Sequence, residues 1–213
     1  MTQNKTGKEL LENAYRLATP ADNRSYYRDF SDHYDDTFAQ GLGYALPHAT
    51  AQRYLDLHDA TDTPIADIGC GTGLLAEALP NCGPIDGFDI SAEMLAKARE
   101  KAIYRALYEV DLTAELPDLP QGYGAVLSSG TFTHGHLGPD TLERLIPLTR
   151  PGGLFVISIN RAHYDSHGFA ACLTDLEAAG TITGLNLTET EIYTTPGHDH
   201  SQDTALLCSF RRG

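Results

Sequence analysis

The chain has 213 residues and 23.1 kDa, 41% of them hydrophobic and 21% charged, which suits one α/β domain with an N-terminal extension and a core needing no disulfide or metal staple. Fifteen Lys+Arg against 29 Asp+Glu leave a net charge of −14, which repels phosphate backbones and anionic lipid and so disfavours nucleic acid and membranes as partners. The longest apolar run, Leu154-Phe155-Val156-Ile157, is far short of a membrane span, and the N-terminus lacks the apolar stretch of a signal peptide. Cys70, Cys82, Cys172 and Cys208 form no C-x-x-C pair, the usage expected of reduced thiols in a cytoplasmic protein.

Residues 1–60 read as a polar, Tyr-rich, helical extension without strand signal, and residues 61–213 as an α/β domain. Pro64–Ile68 predicts a short buried strand that runs into a glycine cluster, followed by a short helix over Leu74–Leu79. Ile85–Asp89 predicts a second strand. Ser91 is the expected N-cap of the next helix, whose apolar face is Met94, Leu95, Ala98 and Ala102, with Glu93 and Lys97 spaced as an i, i+4 pair. Further strands are expected over Tyr104–Val110 and Tyr123–Ser128. Gly138-Pro139 then opens a helix, and Pro151-Gly152-Gly153 launches the strongest strand, Leu154–Ile159. Beyond it lie a helix over Phe169–Ala179 and two strands, Thr181–Tyr193 and Thr204–Arg211, which pair antiparallel because no helix separates them. The expected fold is Rossmann-like: a doubly wound, mostly parallel, seven-stranded sheet with a reversed C-terminal edge strand.

Ligands of such sheets bind beyond the carboxyl ends of the strands. The loop there is Asp67-Ile68-Gly69-Cys70-Gly71-Thr72-Gly73, with glycines at alternate positions. A dinucleotide-binding run also fits, since Gly71-x-Gly73-x-x-Ala76 has the required spacing. Asp89, 20 residues beyond Gly69, suits a ribose under either reading. Asp67 and Asp111 add two more carboxylates to the rim. Three acids favour a cationic ligand bearing an amine, a sulfonium and a ribose over a pyrophosphate.

These blocks resemble the class I S-adenosylmethionine-dependent methyltransferases over roughly residues 25–211. The matches are Asp67–Gly73, Gly87–Leu95, Asp111-Leu112 and Arg150–Leu154. Tyr27-Arg28-Asp29-Phe30-Ser31-Asp32-His33-Tyr34-Asp35 and Gly130–Asp140 are similar to the methyltransferase-like group of the Williams-Beuren syndrome region protein, with departures at Arg28, Phe30 and Ser31. The resemblance implies that Gly69, Cys70 and Gly71 offer backbone to the methionine moiety, with Asp67 near its amine. It implies Asp89 on the ribose hydroxyls, Ile90 and Leu112 on the adenine ring, and Asp111 on the adenine amino group. Ser128 and Ser129 would touch the methionine end, and Tyr27 would come from a lid.

Methyl transfer is in-line displacement, for which alignment and desolvation supply much of the acceleration. Tyr26, Tyr27, Phe30, Tyr34, Phe38 and Tyr44, in a lid over residues 20–46, either surround a sulfonium or pin helices to the sheet. His134 and His136 are the candidate general bases, weighed against structural hydrogen bonding. His134/His136 and His198/His200 look like metal-ligand pairs but lack a third ligand at a firm spacing, so no metal is expected. Gly168 weakens any helix that would align His163 with His167. Ser128–Phe132 replaces the N-P-P-Y/F tetrad of many amide and exocyclic-amine methylating enzymes, which further disfavours nucleic acid. The expected activity is methyl transfer to a small molecule, yielding S-adenosylhomocysteine. An NAD(P)-binding oxidoreductase and a non-catalytic S-adenosylmethionine-binding module are the alternatives. The sequence assigns neither the acceptor atom nor an oligomeric state.

Overall fold

The computed structural model describes residues 11–12, 34–133 and 135–213. A π-helical turn, Tyr34–Gln40, leads to helix α1 (Leu46–Leu57). Alternating strands and helices follow: β1 (Ile65–Ile68), α2 (Leu74–Glu77), β2 (Ile85–Asp89), α3 (Ala92–Glu100) and β3 (Ala106–Glu109). Next come β4 (Tyr123–Phe132), α4 (Pro139–Leu145), β5 (Thr149–Asn160), α5 (Arg161–Ser166), α6 (Phe169–Ala178), β6 (Ile182–Glu191) and β7 (Thr204–Arg212).

The strands form one seven-stranded sheet in the order β3-β2-β1-β4-β5-β7-β6. The first five are mutually parallel, and β7 runs antiparallel between β5 and β6. Strand order reverses beside β1, so the crevice between β1 and β4 is the switch point where a ligand site is expected.

Side chains alternate across the sheet with the strand period. Ala66, Ile68, Val126, Phe155 and Ile157 pack on one face with Leu142 and Leu145 of α4 and Phe169 and Leu173 of α6. Ile65, Ala125, Leu127, Leu154 and Val156 pack on the other with Ala51 and Tyr54 of α1 and Leu75 and Ala76 of α2. Helix α1, although part of the extension in the sequence, therefore shares a core with the sheet. A third cluster joins Leu11, Leu42 and Leu46 to Ile192, Tyr193 and Ala205, and ties the segment before α1 to the end of β6.

Several elements differ from the sequence reading: β5 already begins at Thr149, ahead of the expected Leu154, and β3 is confined to Ala106–Glu109. Helix α5 forms ahead of Gly168, because Asn160 caps it by accepting from the His163 amide at 3.1 Å. Its His163 and His167 rings lie 4.2 Å apart. Strand β4 runs four residues further than expected. Its pairing with β1 ends at Leu127, and its register against β5 shifts between Ser128 and Phe132, where the Gly130 amide donates to the Ser158 hydroxyl at 2.8 Å. Glu93 also accepts from Ser91 Oγ at 3.1 Å, and Lys97 lies 3.9 Å from Glu100. Ser91 does cap α3, accepting from the Met94 amide at 3.2 Å.

Candidate active site

Two adjoining chambers open at the carboxyl ends of β1, β2 and β4. The larger encloses about 710 Å³ and is lined by Asp89, Ile90, Asp111, Leu112, Thr131 and His136, among others. The smaller, about 320 Å³, is lined by Asp67, Cys70, Thr72, Leu74, Tyr44 and Pro47, among others. Tyr34, Gly69, Gly71 and Ser129 border both.

The glycine loop is held by its own hydrogen bonds. The amides of Gly69 and Cys70 both donate to the Phe88 carbonyl, at 2.8 and 3.0 Å. The Gly71 amide donates to Asp89 Oδ2 at 2.8 Å, and the Gly73 amide to the Cys70 carbonyl at 2.8 Å. Gly69 is required sterically: its φ is +69°, and a Cβ there would lie 2.0 Å from Thr131 Oγ1. Gly71 differs. Its φ is +52° and a Cβ would meet nothing within 4 Å, so bare backbone faces the open space of the chambers.

The three acids play different parts. Asp89 is half-buried at the end of β2, and its second oxygen accepts from the Ser91 amide at 2.9 Å. Burial raises its pKa against the opposing effect of these backbone bonds. Asp111 accepts from the amide and hydroxyl of Thr113, at 3.0 and 2.5 Å, and lines the larger chamber. Asp67 is buried on β1. Tyr104 donates to its Oδ2 at 2.7 Å, while Oδ1 is buried without a hydrogen-bond partner at the wall of the smaller chamber. Burial pushes this carboxyl up to about 7; the Tyr104 bond opposes the rise and the nearby Asp89 charge adds to it. An orphaned buried oxygen of this kind calls for a donor or a cation.

Asp86, the other acid of β2, is turned away from this edge. It is buried, takes two bonds from Arg105 at 2.9 and 2.6 Å, and accepts from Tyr123 at 2.7 Å. Asp86→Asn should therefore lower stability by about 1–3 kcal/mol in urea unfolding, since the charge is lost and an amide NH₂ must face a donor of Arg105 or Tyr123. Ligand affinity of the native protein should stay unchanged.

Ile90, Leu112 and Ser129 line the larger chamber. Ser128 does not line either chamber: it is fully buried, and its hydroxyl ties β4 to β1 by donating to the Ile68 carbonyl at 2.7 Å. Cys70 and Gly69 have their amides committed to Phe88, so only the rest of their backbone faces the smaller chamber. His136 lines the larger chamber, and burial together with the proximity of His163 lowers its pKa to about 4. Tyr27, His134 and the aromatic residues Tyr26 and Phe30 lie outside the described residues.

One feature escaped sequence reasoning. Thr131 reaches the chamber because β4 shifts register after Ser128, a change with no local sequence mark beyond Gly130. Tyr44, one of the aromatic residues singled out in the sequence, packs against Tyr193 with ring centroids 5.8 Å apart and also lines the smaller chamber. Burial raises its pKa to about 12 despite a contact with Ser129. Among the described residues, no group of three or more His, Cys, Asp or Glu side chains is placed to hold a metal ion.

The fold is the Rossmann-like one seen in methyltransferases of known structure. A TehB-like SAM-dependent methyltransferase from Corynebacterium glutamicum superposes with a TM-score of 0.55 at 18% identity, covering 92% of this chain and 100% of that one. Residues 65–153 match the family described as Methyltransferase domain. Methyltransferase-like protein 27 of Homo sapiens is 33% identical over 127 residues, 57% of this chain and 51% of that protein. A ubiquinone biosynthesis O-methyltransferase of Aeromonas salmonicida is 34% identical over 103 residues, 46% of this chain and 43% of that protein. The chain thus spans about half the length of the curated relatives it matches.

Proposed function

We propose that this chain is an S-adenosylmethionine-dependent methyltransferase acting on a small-molecule acceptor. The observation that carries the reading is the state of the glycine loop. A pyrophosphate needs free amides, yet those of Gly69, Cys70, Gly71 and Gly73 are all engaged within the protein. What the loop offers is bare backbone at Gly71 and an orphaned carboxylate oxygen at Asp67, which suit a cationic amino acid moiety. Asp89 would hold the ribose hydroxyls, Ile90 and Leu112 the two faces of the adenine, and Asp111 its amino group. Tyr34 and Tyr44 supply ring faces beside a sulfonium. Tyr27 would complete the cover from the N-terminal side.

The donor, when bound, supplies the methyl group to the acceptor's nucleophile. The chain's contribution is to align that partner and exclude water. His136 stays neutral at physiological pH, and a conjugate acid near 4 holds a proton too weakly for a general base. Its role in this reading is to accept a hydrogen bond from the acceptor. A small acceptor is supported by the O-methyltransferase relative of ubiquinone biosynthesis and by the acidic net charge, which opposes nucleic acid. The four unpaired cysteines support a cytoplasmic setting.

Calorimetric titration with S-adenosylmethionine, S-adenosylhomocysteine, NAD(H) and NADP(H) tests the assignment. Binding of the two sulfur compounds alone is expected. Binding of a nicotinamide cofactor without them would replace this reading by an oxidoreductase. Donor binding with no turnover across alcohol, phenol, amine, thiol and carboxylate acceptors would favour a non-catalytic module.

A further inference from the structure

Lys101 caps the C-terminus of α3 and lines neither chamber. Its ammonium nevertheless lies 2.7 Å from Asp35 Oδ2 and 2.6 Å from Glu77 Oε2 of α2. The other oxygen of Asp35 accepts from the hydroxyl of Thr72, within the glycine loop, at 2.5 Å. Asp35 is the neighbour of Tyr34 in the π-helical turn, and Tyr34 is a wall of both chambers. One lysine thus links α3, α2, the glycine loop and the turn that borders the site. Its side chain is only 19% exposed, so this network is screened less than an ordinary surface pair.

We infer that Lys101 is a positioning residue for the methyl donor: through Asp35 it holds Tyr34 against the glycine loop, keeping the wall common to both chambers in place. The inference rests on the methyl-donor reading and adds a residue that does not itself touch the donor. Charge and position predict opposite signs here. The donor is a cation, so removing a nearby cation would strengthen binding if Lys101 acted only through its field. Loss of the tether instead weakens binding, because Tyr34 must then be ordered when the donor arrives.

The test is calorimetric affinity for S-adenosylmethionine and S-adenosylhomocysteine, with the unfolding temperature of each ligand-free variant measured alongside. Lys101→Met is expected to raise both dissociation constants about five- to tenfold, the scale of a coupled, partly buried pair, with little change in unfolding temperature. Lys101→Arg should restore most of the affinity. Asp35→Asn should weaken binding similarly, and the Lys101→Met/Asp35→Asn double variant should be no worse than the single ones, since both cut the same link. If Lys101→Met also destabilises the fold, Thr72→Val cuts the link at its other end without altering charge and should weaken binding in the same direction. Unchanged or tighter binding by Lys101→Met, or additive losses in the double variant, would overturn the positioning role. Absence of binding by the unaltered protein would instead remove the methyl-donor reading on which it rests.

Discussion

Replacing Asp89 by Ala is expected to raise the dissociation constant for S-adenosylhomocysteine by about 100-fold or more while the sheet still folds. An ionised carboxylate has about four acceptor sites. The Gly71 and Ser91 amides donate one to each oxygen, at 2.8 and 2.9 Å, and the Ile90 amide also interacts with the carboxylate, which leaves each oxygen a lone pair for one of two vicinal ribose hydroxyls. Each charge-assisted bond contributes about 1.5–3 kcal/mol, so losing two costs at least about 3 kcal/mol, or two powers of ten. The substitution also releases the Gly71 amide, which loosens the loop at its most open point. Asp89→Asn keeps one acceptor oxygen but turns an NH₂ toward one of the two amides, so an intermediate loss is expected. Calorimetry with circular dichroism separates affinity from folding. Unchanged affinity in folded Asp89→Ala would mean that another group holds the ribose, and Asp86, bound to Arg105 and Tyr123 on the far side, is not available to do so.

Donor affinity should fall about 30-fold between pH 8 and pH 5.5, and Asp67 should account for the fall. Its carboxyl is pushed up to about 7 by burial, against the Tyr104 bond and with help from the Asp89 charge. Above pH 7 it is ionised and attracts the donor's ammonium. Below pH 7 the unliganded protein holds a proton that must leave on binding, at about tenfold in affinity per pH unit. The sign for the stability of the unliganded fold is the opposite. The folded pKa lies above the model-compound value of 3.8, so the stabilising contribution of Asp67 is present at low pH and is lost as pH rises through 7. Binding isotherms and thermal unfolding across this range, compared between the unaltered protein and Asp67→Asn, isolate both effects from those of Asp89 and His136. Parallel pH profiles for the two proteins would assign the titration elsewhere.

Much of the frame was legible because strong local signals and tertiary structure agree. Ile85–Asp89 is a strand with the expected limits, Ser91 caps α3, and the β6–β7 pair forms where consecutive strands leave no alternative. Helix α5 is encoded at its start, by the Asn160 cap, and Gly168 lies beyond its last turn, so the glycine does not oppose it. The site was legible as a set of residues but not as a set of contacts. Asp67, Asp89 and Asp111 do converge on one edge, yet sequence spacing cannot say which lone pairs the fold has already used. Ser128 sits at the end of the strand core where a site residue is expected, and its hydroxyl is consumed by β1. The Lys101–Asp35 link joins residues 66 apart through two elements whose relative placement no local pattern encodes.

The hydrogen bonds inside the glycine loop also bear on the thermodynamics of recognition. A loop in which the amides of Gly69, Cys70, Gly71 and Gly73 are satisfied before any ligand arrives is preorganised, so little conformational entropy of its backbone remains to be lost on association. With Tyr34 tied through the Lys101–Asp35–Thr72 network, the wall is held in place as well, and the Phe88 carbonyl that receives both Gly69 and Cys70 acts as a fixed point for the floor of the site. Donor and product should therefore meet a site that is already shaped, with an ordering cost that is small in the unaltered protein and grows when the tether is cut.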